Sequence, residues 1–126
     1  MTTEAEMIAK TVAYFADVDR FDHDAILTHF AADAVMEVPT HGTVRHGIGE
    51  IAETYRRRRE MVQKSWHGDF KYMFNVADQR LAVRLTVERT LADDRAERTD
   101  NVTIIEFADG KIGRLSVWMA GANTLT

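Results

Sequence analysis

The chain has 126 residues, is 45% hydrophobic, and carries 16 Lys and Arg against 20 Asp and Glu, a formal charge of −4 at pH 7. That size and apolar content predict one globular domain over residues 1–126, able to bury enough surface without covalent staples. The acidic balance argues against a nucleic-acid partner, and the lack of cysteine excludes disulfides, thiolate nucleophiles and Cys-ligated zinc. No secretory leader and no apolar run long enough for a membrane span is visible, so a cytoplasmic protein with no membrane partner is expected.

Ile8, Thr11, Val12, Phe15 and Val18 recur at three- and four-residue spacing and predict an amphipathic helix with that stripe buried. Asp19 and Arg20 end the stripe. Asp22 is placed to cap a second helix, whose apolar face is Ile26, Leu27 and Phe30. Ala34 to Val38 reads as a short strand stopped by Pro39, a residue that suits a strand end. Gly42, Gly47 and Gly49 punctuate a loop into a third helix with Ile48, Ile51, Ala52 and Tyr55 inward. The run Arg56–Arg59 closes that helix, with Glu53 four residues before Arg57. Cations complement the negative end of a helix, and no aromatic residue interrupts the run, so it reads as a solvated helix end and not a phosphate site.

The second half reads as a strand meander. Trp66 to Val76 sets Phe70, Tyr72 and Phe74 on one face, and Leu81, Val83, Leu85 and Val87 alternate with Arg84, Thr86 and Glu88. Asp93-Asp94 marks a turn, Thr99 to Phe107 a further strand, and Asp109-Gly110 a two-residue hairpin. Lys111 to Met119 closes the sheet with Leu115, Val117 and Met119 on one face. Helices first and a mostly antiparallel sheet afterwards make an α+β fold: three N-terminal helices packed on a curved sheet that encloses a pocket.

The order of these elements, together with HFAADAVMEVP, GTVRHGIGEI and FADGKIGRLSVW, resembles the SnoaL-like proteins of the nuclear transport factor 2 and ketosteroid isomerase superfamily. The resemblance covers nearly the whole chain. It implies a cone-shaped α+β barrel and a deep, mostly apolar cavity that needs no cofactor. It also implies a small apolar or cyclic ligand and pairing of sheet faces in a homodimer.

The superfamily hosts several chemistries, so the site is read residue by residue. Ketosteroid isomerases are matched at Tyr14, which implies an oxyanion donor. Their general base falls at Val38, which cannot take a proton, and their second oxyanion acid falls at Thr103, a poorer donor. SnoaL-like polyketide cyclases often carry an acid where this chain has Trp118-Met119-Ala120. The scytalone dehydratase branch resembles ADVDRFDHDAIL and SWHGDF, which implies a catalytic pair of Asp19 and His67 with Tyr14 polarising the substrate oxygen. In such a pair the carboxylate fixes the tautomer of the imidazole and raises its basicity. Met36, Val38, Tyr55, Thr103, Val117 and Met119 are expected to line the substrate cavity.

Plain structural roles compete with these. Asp19 suits the punctuation of a turn, Tyr14 suits a core with its hydroxyl satisfied, and His67 shares the parity of Asp69 and Lys71, the solvent side. Gly68 offers a way out, because a strand glycine can mark a bulge that re-aims its neighbour. His41 and His46 are spaced too loosely for a metal pair, and no metal is expected; His23 and His29 read as solvated, and Glu37 and Trp118 as outward. Two functions follow: a cofactor-free dehydratase, isomerase or cyclase acting by proton transfer on a small cyclic oxygenated substrate, or a non-catalytic module that binds an apolar ligand.

Overall fold

Thr3 opens the first helix, α1 (Glu4–Asp19), with a reciprocal cap in the computed structural model, which describes residues 1–126. Its hydroxyl accepts from the Glu6 amide, and the Glu6 carboxylate accepts from the Thr3 amide. Met7, Thr11, Tyr14, Phe15 and Val18 are buried, whereas Ile8 and Val12 stay 36% and 44% exposed. Both the 7-11-14-18 and the 8-12-15 series fit a helical period. The helix turns the first inward, because Tyr14 on that series hydrogen-bonds Tyr55 inside the core.

Asp22 caps α2 (His23–Thr28) by accepting from the Ala25 amide, as its position predicts. Strand β1 (Phe30–Val38) follows, and Pro39 ends it. The segment read as a loop contains a further strand, β2 (Thr43–His46), paired antiparallel with Val35–Val38 of β1. It is four residues long with one strongly apolar side chain, Val44, so it carries no alternation to read. After α3 (Gly47–Met61) come β3 (Val62–Asn75), β4 (Arg80–Leu91), β5 (Ala96–Ala108) and β6 (Lys111–Trp118). Asp109 and Gly110 both take positive φ (50° and 78°) in the two-residue turn joining β5 to β6, the backbone that this hairpin type requires.

The strands form one sheet in the order β2-β1-β6-β5-β4-β3, with β1 and β6 parallel and every other pair antiparallel. The fold is the expected α+β cone, but its sheet is mixed and open, not a closed barrel. Leu81, Val83, Leu85 and Val87 line the concave face of β4, joined by Ile105 of β5 and Leu115 and Val117 of β6. No helix is long and apolar enough to cross a membrane.

Strand β3 changes its inward parity twice. Between Val62 and Lys64, and again between Gly68 and Lys71, it carries one residue more than the facing stretch of β4. Val62 faces in; then Ser65 and His67; then, past the second bulge, Phe70, Tyr72 and Phe74. Asp69 takes φ 54° at that second bulge. Gly68 is covered by the Trp66 indole, which would lie 2.2 Å from a Cβ built there. Gly68→Ala is therefore expected to swing the half-exposed indole outward and shift the tryptophan emission, with a stability loss below about 1 kcal/mol because no core residue is displaced. Urea unfolding and fluorescence spectra check both.

Candidate functional site

Asp19 is the last residue of α1, at the helix end where a negative charge is disfavoured. Three donors from β3 compensate it. Oδ1 accepts from the Ser65 hydroxyl at 2.6 Å and from His67 Nδ1 at 2.6 Å; Oδ2 accepts from the His67 backbone amide at 2.8 Å. The bulges of β3 supply this geometry by turning Ser65 and His67 to the inner face. Because the carboxylate accepts at Nδ1, the neutral ring carries its proton there, and Nε2 is left with a free lone pair. The ring is stacked on Phe15, with centroids 4.8 Å apart, so its plane is fixed as well.

His67 opens onto a narrow cavity of about 30 Å³ within its walls, or about 440 Å³ counting all atom-free space out through its mouth. Phe15, Val18, Leu85, Leu115, Val117 and Met119 give it an apolar wall, and Leu125 of the C-terminal tail closes one side. Tyr14 of α1 and Tyr55 of α3 meet at its wall, hydroxyl to hydroxyl. Burial pushes the Tyr14 phenol well above its ordinary range and that of Tyr55 up to about 12, so both keep their protons at neutral pH. One hydroxyl donates to the other, and one proton of the pair remains to donate elsewhere. Burial also holds the His67 imidazole below its ordinary 6.5, with Asp19 opposing that shift, so the ring is neutral at pH 7.

The structure thus brings Tyr14, Tyr55, His67, Thr103, Val117 and Met119 together around one cavity, with Asp19 behind the His67 ring. Met36 and Val38 do not line it. They are 1% and 0% exposed in the hydrophobic core, because β1 is separated from the cavity by β6 and its inner face lies under α3. Glu37 accepts from Arg114 and Ser116 on the outer face, and Trp118 is 38% exposed. His29 is not solvated as the sequence suggests: it hydrogen-bonds Asp17 at 2.6 Å, the other acid in the last turn of α1. No three His, Asp or Glu side chains converge to hold a metal.

Two arginines line the wall where the sequence reading places none. Arg89 takes the inward position after Leu81, Val83, Leu85 and Val87 on β4, and its buried guanidinium binds Glu97, Thr124 and the carbonyls of Ala120 and Ala122. It thereby holds the C-terminal tail over the cavity. Arg58 lies within the run read as solvated, yet it is 4% exposed. Its spacing from Ile51 and Tyr55 puts it on the buried face of α3, while Arg56 pairs with Glu53 outside. The signal is available in both cases: a charge at the next position of an apolar period.

A model of the SnoaL-like domain matches residues 11–115. No protein with a curated description matches the chain in sequence. Among solved structures, a candidate polyketide cyclase from Xanthomonas campestris pv. campestris superposes with a TM-score of 0.83 at 18% identity, covering 92% of this chain and 91% of that one. A candidate isomerase from Bacillus subtilis gives 0.84 at 14% identity, covering 94% and 88%. A protein of ketosteroid isomerase-like fold from Catenulispora acidiphila, in complex with trimethylamine, gives 0.79 at 15% identity, covering 95% and 88%. At these identities the likeness is one of fold.

The Asp19–His67 bond has a measurable signature. An NMR titration of His67 is expected to give a midpoint below 6.5 in the wild type and a lower one in Asp19→Asn, since removing the carboxylate leaves desolvation unopposed. Coincident midpoints would show the two groups to be uncoupled.

Proposed function

The chain belongs to the SnoaL-like domain family, and on that premise we propose that its cavity performs cofactor-independent proton transfer on a small cyclic, oxygenated substrate. The observation that carries this reading is the threefold anchoring of Asp19, which holds His67 with a bare Nε2 on the wall of a cavity lined mainly by apolar side chains. Nε2 removes a proton from a carbon beside a carbonyl. The spare proton of the Tyr14–Tyr55 pair meets the carbonyl oxygen as negative charge develops on it. Asp19 stays ionised and stabilises the imidazolium. The imidazolium then returns the proton: to a leaving hydroxyl in a dehydration, to a second carbon in an isomerisation, or to the oxygen of the carbonyl that the enolate carbon attacks in a cyclisation. Apolar walls keep bulk water from competing for the proton.

The test is hydrogen–deuterium exchange of cyclic β-hydroxyketones in D2O, followed by NMR together with any loss of water. His67→Gln and Asp19→Asn are expected to lower the catalysed rate, the former by about a hundred- to ten-thousand-fold, the usual range for a general base. Exchange that survives His67→Gln rejects the mechanism, and ligand binding without any exchange identifies a non-catalytic binding module. The rate is expected to rise with pH along a limb centred below 6.5, as His67 loses its proton, and to hold to strongly alkaline pH because the tyrosines stay protonated.

We also propose that the chain pairs through its outer sheet face, where Trp66, Trp118 and Met73 are 45%, 38% and 70% exposed. Light scattering is expected to give a dimer for the wild type and a monomer for Trp118→Glu.

A further inference from the structure

Arg58 makes no ion pair, although the Asp19 carboxylate lies close enough for its charge to act on it. It is 4% exposed and lines the cavity, yet its guanidinium makes no hydrogen bond within the chain; it lies over the Phe21 ring, with Cζ 5.5 Å from the centroid. Arg89, the other buried arginine of the wall, is paired with Glu97 at 2.9 Å. Arg56 and Arg57, on the outside of the same helix, share Glu53. The Arg58 nitrogens are not sealed off, unlike His23 Nε2 and Tyr72 Oη, which are buried without solvent contact or partner; they open on the cavity. Five donors in a rigid fork, buried at the cavity wall without a hydrogen-bond partner, form half of a carboxylate site. Folding alone does not favour such a residue, since a buried unpaired charge is costly and an apolar side chain of similar volume is commonly more stable.

We infer that the ligand of this cavity is an organic anion whose carboxylate pairs with Arg58 while its apolar ring lies against Val117, Leu115 and Met119. The inference rests on the acid–base reading of the cavity and narrows its substrate class to cyclic keto or hydroxy acids. Tyr14 and Tyr55 stand beside Arg58 on the same wall. The carboxylate and the reacting carbonyl thus have separate donors.

The test compares benzoate with its uncharged isostere benzamide by amide chemical-shift titration at pH 7. Wild-type protein is expected to bind benzoate about tenfold or more tightly, the usual advantage of a charge-assisted bond over a neutral one. Arg58→Met is expected to bring the ratio to about one without lowering the melting temperature, and Arg58→Lys to keep an intermediate preference. Equal affinities in the wild type, a preference that persists in Arg58→Met, or benzoate that fails to saturate at millimolar concentration would each overturn the inference. Phosphate displacing benzoate at equal concentration would reveal an inorganic-anion site, and would overturn it too. If Arg58→Met does not fold, Arg58→Lys decides: an undiminished ratio there rejects recognition by the guanidinium fork. Asp19→Asn is expected to retain the benzoate preference. Loss of proton transfer with the preference intact, or the reverse, therefore separates failure of the acid–base reading from failure of this one.

Discussion

One carboxylate organises the working end of this molecule. Asp19 sits where the α1 macrodipole opposes it, and it is held there by donors that arrive from a strand 46 to 48 residues away. The contact does three things at once. It ends the helix against β3, selects the Nδ1–H tautomer of His67, and aims that ring at the cavity. Asp17, two residues earlier on the other side of the same turn of α1, repeats the pattern, with His29 and Arg20 offsetting its charge. A helix whose last turn holds two acids and no base is stable here because each acid has a cation or a histidine within reach.

The cavity combines two opposed electrostatic demands. His67 must stay neutral to accept a proton, and desolvation keeps it so. Arg58 must stay charged to attract an anion, and the same desolvation works against it, holding its pKa below the ordinary value. The two coexist because an arginine starts far above neutrality and can lose several units without losing its proton, whereas a histidine cannot. The tyrosine pair between them is pushed the other way and remains a donor. A single buried space thus sets a base, a donor and a cation, each from a residue type whose starting pKa tolerates the shift.

Most of the architecture is legible in the sequence because it rests on periodicity. Alternation in β4 and β6, the Asp22 cap and the Asp109-Gly110 turn are local signals and stand where they are read. What escapes is decided by contacts distant in sequence. The rotation of α1, which leaves Ile8 and Val12 in solvent, follows from Tyr14 meeting Tyr55 across 41 residues. Strand β2 exists because β1 offers it an edge. The candidate site was half visible: Asp19, His67 and Tyr14 are suggested by family resemblance, while Met36 and Val38 are assigned to a wall that β6 takes over. Arg58 reads as solvated along with the rest of its run, and Arg89 draws no reading. Their positions in the apolar period say otherwise.

The paired bulges of β3 have a consequence for how such a chain can change over generations. Between them lies a short register island, the one part of the strand whose odd-numbered side chains face in, and it contains both residues that donate to Asp19. A point substitution on the strand alters one side chain and leaves that island in place. A single deletion at Asp69 would restore regular pairing and improve the sheet as a sheet, yet it would turn either the Ser65–His67 side or the Phe70–Phe74 side to solvent. Length in this strand is therefore constrained more tightly than identity, and gaps, not mismatches, mark where related chains would part from this site.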